Sequence, residues 1–130
     1  RRKECDSYAF LNDTNRNINY TSSGLEVSWL CDTKIPIKWY RFAGNAGTQI
    51  SRSCPVGGYD KNLKCQTHAV SWLNESHPTV SEGKVTRTVY FSWDGDCYHR
   101  KTAIEVINCG FGYIYRLVPV PHCWIRYCGV

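Results

Sequence analysis

No apolar run in this sequence approaches the roughly 18 residues that a membrane-crossing helix needs, which excludes a helical span. No two cysteines are separated by two residues, so the C-x-x-C knuckle of zinc ribbons and thioredoxin-like sites is missing. There is no G-x-S-x-G elbow, EF-hand loop, P-loop or dinucleotide fingerprint. Helical periodicity is also lacking: no stretch repeats a three-to-four spacing with caps at its ends, so any helix is expected to be short. Ala and Leu number 11 together, against 27 for Val, Ile and Thr, the reverse of a helical protein. No internal repeat or linker interrupts the chain.

What is present is cysteine: eight in 130 residues, with 42% hydrophobic and 21% charged residues and a net charge of +5. This length makes one domain, and the apolar fraction excludes intrinsic disorder. An even cysteine count without metal-type spacing points to an oxidising compartment, hence a secreted, disulfide-bonded domain. The cysteines are Cys5, Cys31, Cys54, Cys65, Cys97, Cys109, Cys123 and Cys128. Eight allow about 105 pairings, and their spacing does not choose among them. His99 near Cys97 and His122 beside Cys123 read as incidental neighbours of disulfides, so neither metal nor cofactor is expected.

The fold class expected is mainly β: a small, disulfide-stapled antiparallel domain with at most short helices. Lys84 to Phe91 gives the clearest strand, with Val85, Val89 and Phe91 on one face and Lys84, Thr86 and Thr88 on the other; Arg87 falls among the apolar set. Asp94-Gly95-Asp96 supplies a turn. Further strands are expected at Gly24 to Leu30, Ile37 to Phe42, Ile104 to Ile107 and Gly112 to Val118. Asn12 to Gly24, rich in asparagine, and Ser51 to Lys64, with Pro55, Gly57, Gly58 and Asp60, read as surface loops.

Composition alone fits a small basic secreted hydrolase of the c-type lysozyme kind. Such an enzyme needs two carboxylates across a cleft, one in an apolar pocket. Glu26 and Glu105 are the only ones flanked by apolar residues, and in a strand those neighbours point to the opposite face. Both therefore read as solvent-facing, and the four histidines, His68, His77, His99 and His122, are scattered. The chain is expected not to be an enzyme, with a small secreted hydrolase using Glu26 and Glu105 kept as the remote alternative. The basic residues are spread as singles and pairs apart from Arg1-Arg2-Lys3. Strands could align Lys38, Arg41, Arg87 and Arg116, but a solvated surface is the default, so no nucleic-acid partner is expected.

Three asparagines satisfy N-x-[ST]: Asn12, Asn19 and Asn74. Chance predicts about one in a chain of this composition. Asn12 and Asn19 fall in the polar loop. Asn74 follows Trp72-Leu73 and precedes His77-Pro78, a short turn beside an apolar anchor, where a glycan would be held close to the folded body.

The order of residue blocks carries a resemblance. Cys31-Asp32 is followed by Trp39-Tyr40-Arg41-Phe42, Gly44, Gly47, Cys54-Pro55, Cys65-Gln66-Thr67, Trp72-Leu73-Asn74 and His77-Pro78. Gly83, Cys97, Asn108-Cys109-Gly110, Tyr113-Ile114-Tyr115-Arg116-Leu117, Pro121, Cys123 and Arg126-Tyr127-Cys128 complete the series. From Cys5 to Cys128 this closely resembles the eight-cysteine domain of the uromodulin and glycoprotein 2 family. The cluster Arg1-Arg2-Lys3 reads as a basic amino-terminal tail over 1–4, and the resemblance implies a single extracellular, non-enzymatic domain over 5–128. It implies N-glycans displayed as decoys to mannose-binding adhesins of bacterial pili, with Asn74 at the glycan-bearing position. The bridges it implies are Cys5 to Cys109, Cys31 to Cys123, Cys54 to Cys97 and Cys65 to Cys128. Ten-cysteine members have one more bridge, whose positions here are Tyr90 and Tyr98, two aromatics able to pack where it would lie. The partners expected are glycan-binding lectins or bacterial adhesins, in adhesion or innate defence. The alternative is a structural subunit of matrix, mucus or filament that self-associates through strand edges.

Overall fold

The computed structural model describes residues 2–22, 30–55 and 63–130. Its strands are β1 (Ala9–Leu11), β2 (Thr21–Ser22), β3 (Lys38–Phe42), β4 (Leu63–Lys64), β5 (Ala69–Leu73), β6 (Val85–Trp93), β7 (Asp96–Asn108), β8 (Tyr113–Leu117) and β9 (Ile125–Arg126). Seven of them form one sheet in the order β1-β3-β8-β7-β6-β5-β9, while β2 and β4 pair separately. The domain is mainly β, and its helical segments among the described residues are 3-10 turns of three or four residues. The central pairings are antiparallel as expected; the two outermost, β1 with β3 and β5 with β9, are parallel.

The β6–β7 hairpin is the backbone of the sheet. Its turn puts Asp94 at φ 48° and Gly95 at φ 79°, the left-handed pair a two-residue hairpin loop requires. Asp96 Oδ1 accepts the Tyr98 N–H at 2.9 Å and holds the return strand in place. From there the alternation is simple: Val89 and Phe91 of β6, Ile104 and Val106 of β7, Tyr115 and Leu117 of β8, and Tyr40 and Phe42 of β3 share the buried face. Arg87 breaks the pattern because its Nε reaches across to donate to the Ser76 carbonyl at 2.9 Å.

The strands expected at Lys84 to Phe91, Ile37 to Phe42, Ile104 to Ile107 and Gly112 to Val118 correspond to β6, β3, part of the longer β7, and β8. Gly24 to Trp29 lies outside the described residues, and Leu30 is not in a strand. β5 (AVSWL) carries no alternation because all five residues are buried, both faces being covered. The remaining strands, of two or three residues, are too short to show a period.

Among the described residues no α-helix covers the buried face; loops and the 3-10 turn Gly44–Ala46 do, contributing Ile35, Ala46, Ile50 and Val120 to the core. The four disulfides fasten segments outside the main sheet to it or to one another: Cys5–Cys109, Cys31–Cys123, Cys54–Cys97 and Cys65–Cys128. Of the described residues in the asparagine-rich segment, two are far from a plain surface loop: Arg16 and Ile18 are buried. The Arg16 guanidinium donates to both oxygens of Asp32, at 2.9 and 2.7 Å, and to the Tyr127 carbonyl at 2.8 Å. The Tyr127 N–H in turn donates to Asp32 Oδ2 at 2.8 Å. Beside it, Arg126 binds the Asn15 carbonyl, the Asn15 side chain and the Cys65 carbonyl, each at 3.0 Å. Burial, and then Arg16, lowers the Arg126 guanidinium to about 10, so it stays charged at neutral pH. This polar lattice locks four chain segments, at Asn15–Arg16, Asp32, Cys65 and Arg126–Tyr127, together at the sheet edge.

Candidate functional site

Asn74 is exposed and follows directly on β5, whose last residue is fully buried. The chain around it is braced on both sides. Leu73 N–H donates to the Ser51 carbonyl at 2.8 Å. The Arg52 guanidinium then donates to the carbonyls of Leu73 at 3.2 Å and Asn74 at 3.1 Å. Beyond the triplet, Arg87 holds the Ser76 carbonyl and Asn108 Nδ2 holds the Pro78 carbonyl at 3.1 Å. A capping box between Thr79 and Glu82 ends the segment. Asn74, Glu75 and Ser76 are therefore exposed on a backbone held at both ends.

His77, half-buried, follows the exposed triplet. Its Nε2 lies 2.7 Å from the Tyr115 hydroxyl, and its ring lies tilted against Tyr113 with centroids 4.2 Å apart. Tyr115 also accepts the Ile50 N–H at 3.0 Å, and its hydroxyl can donate to Nε2 when the His77 ring is neutral with its proton on Nδ1. Burial, reinforced by the charges of Arg52 and Arg87, lowers the His77 pKa from 6.5 to about 4. The unfolded chain then binds a proton that the folded chain refuses across that window. The resulting stability is full above pH 6.5 and falls as pH drops toward 4. Thermal melts from neutral to acid pH are expected to show a steeper loss in the native protein than in His77→Gln, which keeps an acceptor but does not titrate. Parallel curves would contradict this.

The other two sequon asparagines, Asn12 and Asn19, are also exposed. Asn19 N–H closes a turn on Asn17 Oδ1 at 2.8 Å, and Asn17 Nδ2 reaches the Asn45 carbonyl at 3.1 Å. Thr14, Asn17, Asn19, Tyr20 and Asn45 line a shallow open groove there. Asn12 follows β1, at the opposite side of the sheet from β5, with β3, β8, β7 and β6 between. The fold thus separates Asn74 from Asn12 rather than gathering them.

The hydrolase candidates are not brought together. Glu26 lies outside the described residues. Glu105 faces Arg116 at 4.0 Å, both side chains well exposed, without the apolar pocket that raises a catalytic acid. His122 stacks on Trp124 at 4.2 Å and His99 lies against Trp93 at 4.8 Å. Among the described residues no group of three or more His, Cys, Asp and Glu side chains could hold a metal. No described helix is long and apolar enough to cross a membrane.

Tyr90 and Tyr98 do pack together: their rings meet edge to face at 4.8 Å. Trp72 lies 5.7 Å from Tyr90 and 5.5 Å from Tyr98, and its indole N–H donates to the Cys97 carbonyl at 2.7 Å. Sequence reasoning located Asn74 but not its braces. Arg52, Arg87 and Tyr115 sit 11 to 38 positions from their partners in the loop, and nothing local marks them.

One β-sheet whose flanking segments are fastened by four long-range bridges defines a cysteine-framework β module. A family model described as a uromodulin-like domain, the eight-cysteine module of that family, matches residues 40–129. The chain belongs to this family. It is 40% identical over 125 residues to the pancreatic secretory granule membrane major glycoprotein GP2 of Canis lupus familiaris, covering 95% of this chain and 23% of that protein. Uromodulin of Mus musculus is 38% identical over 126 residues, covering 95% and 18%. The GP2 glycoprotein of Homo sapiens is 36% identical over 127 residues, covering 97% and 22%. The chain spans about a fifth of the length of the curated relatives it matches.

Proposed function

We propose that this chain is a secreted, non-enzymatic extracellular module that presents N-linked glycans for recognition, with Asn74 as the principal attachment site and mannose-binding lectins or bacterial adhesins as the partners. The observation that carries the reading is the exposed triplet Asn74–Ser76 held on a braced backbone. A sugar attached there projects from a fixed point, so its first residues lose less freedom when a lectin closes on them. Asn12 and Asn19 are secondary attachment points. Membership in a family that includes a protein named as a glycoprotein supports the same reading.

The test is binding of the secreted protein to an immobilised mannose-specific lectin. Asn74→Gln and Ser76→Ala each remove the triplet's acceptor chemistry without touching a brace. Either is expected to lower binding by about tenfold or more, equivalent to at least 1.4 kcal/mol, at an unchanged melting temperature. Asn12→Gln and Asn19→Gln are expected to change it little. Full binding by the Asn74→Gln protein would contradict the proposal.

A further inference from the structure

Away from Asn74, at the β1 edge of the sheet, three aromatic rings surround one cation. The Arg41 guanidinium lies 4.4 Å from the Phe111 ring centroid, 5.9 Å from Tyr8 and 6.0 Å from Phe10. Its Nη1 donates to the Tyr8 hydroxyl at 3.1 Å. Among the described residues it has no carboxylate partner, and its other N–H groups have no hydrogen-bond acceptor. Phe10 is 55% and Phe111 40% exposed, and neither joins a buried cluster. Tyr8 serves the fold by packing over Cys5, Ile107 and Ile114, whereas Phe10 is more than half exposed.

Among the described residues no strand lies beyond β1, the outermost of the sheet. β1 pairs parallel with β3, Phe10 opposite Arg41, and the Ala43 N–H donates to the Leu11 carbonyl at 3.0 Å. Ladder groups alternate sides along a strand, so Ala9 and Leu11 face β3 while the N–H and carbonyl of Phe10 face outward. Next to this edge, Ser7, Tyr8, Ala9, Lys38 and Trp39 line a shallow groove that adds a second cation. Rings, cations and the outer edge of β1, unpaired among the described strands, thus meet on one surface.

We infer that this edge is a docking site for an extended acidic peptide segment of another protein, which pairs its backbone with Phe10, lays an apolar side chain on the Phe10 and Phe111 rings, and places a carboxylate on Arg41. Charge selects the occupant: the guanidinium supplies paired donors suited to a carboxylate, and the rings hold it in place for that contact. Strand addition supplies the backbone recognition.

The experiment uses the folded, disulfide-intact protein with a dye-labelled peptide of alternating Val and Glu, and its Val-Lys counterpart, read by fluorescence anisotropy. The acidic peptide is expected to bind about tenfold or more tightly than the basic one. Arg41→Gln is expected to remove that preference, while Arg116→Gln leaves it intact. If Arg41→Gln lowers the melting temperature, Phe10→Ser, at an exposed position, reads the same surface. Amide exchange in residues 8–11 should slow when the acidic peptide is bound. Equal affinity for the two peptides, no binding, or no protection of residues 8–11 would overturn the inference. So would concentration-dependent self-association that Arg41→Gln abolishes, because the occupant would then be a second copy of this chain.

Discussion

Reduction of the four disulfides is expected to unfold the domain outright. The bridges span separations of 104, 92, 43 and 63 residues, and they overlap, so the reduced chain recovers freedom over nearly its whole length. In the chain-entropy view a loop of about 100 residues contributes some 4 to 5 kcal/mol. A domain of this size has about 5 to 15 kcal/mol in total, so losing overlapping constraints that each contribute a large share of that is enough to unfold it. The architecture gives a second reason. Among the described residues the layer over the sheet is loop and a single 3-10 turn, with no α-helix, and the bridges hold segments that flank it. Loss of near-ultraviolet circular dichroism in reductant, restored on reoxidation, is the expected reading. A reduced protein that keeps its native spectrum and melting temperature would refute this account of stability. Removing only Cys5 and Cys109 together is expected to cost about 2 to 5 kcal/mol.

The second large effect is at Asp32. This carboxylate accepts two hydrogen bonds from the buried Arg16 guanidinium and one from the Tyr127 N–H. Asp32→Ala leaves a cation stranded at a site 9% exposed, with an unpaired backbone donor beside it. Breaking a buried pair in this way costs about 3 to 5 kcal/mol. The expected result is a large drop in the urea midpoint with an unchanged slope. Joint replacement by Arg16→Met and Asp32→Leu removes the stranded charge, so it is expected to cost less than Asp32→Ala alone. A single-variant loss under about 1 kcal/mol would mean that the ion pair is not a structural lock.

These features differ in how far they were legible in the sequence. KVTRTVYF declared itself because one face is wet and the other dry, leaving a period of two. AVSWL did not, since burial on both faces removes the alternation that reveals a strand. Arg16 was masked by its composition: four asparagines around a charged residue read as surface, and only Asp32, 16 positions on, makes it interior. The sequon at Asn74 was visible as a triplet, whereas its bracing comes from remote residues that no spacing rule connects. The pairing of the cysteines was beyond spacing as well, and only likeness to a family suggested one. The Arg41 cluster is assembled from Tyr8, Phe10 and Phe111, a neighbourhood that exists only once β1 pairs with β3.

The central claim is that Asn74 carries a presented glycan, and tryptic mapping of the secreted protein tests it most directly. Asn12, Asn19 and Asn74 fall on separate tryptic peptides, residues 4–16, 17–34 and 65–84. After reduction, the peptide 65–84 is expected to carry a high-mannose mass that endoglycosidase H removes, leaving a single N-acetylglucosamine. An unmodified Asn74 in protein that is otherwise folded and secreted would contradict the account.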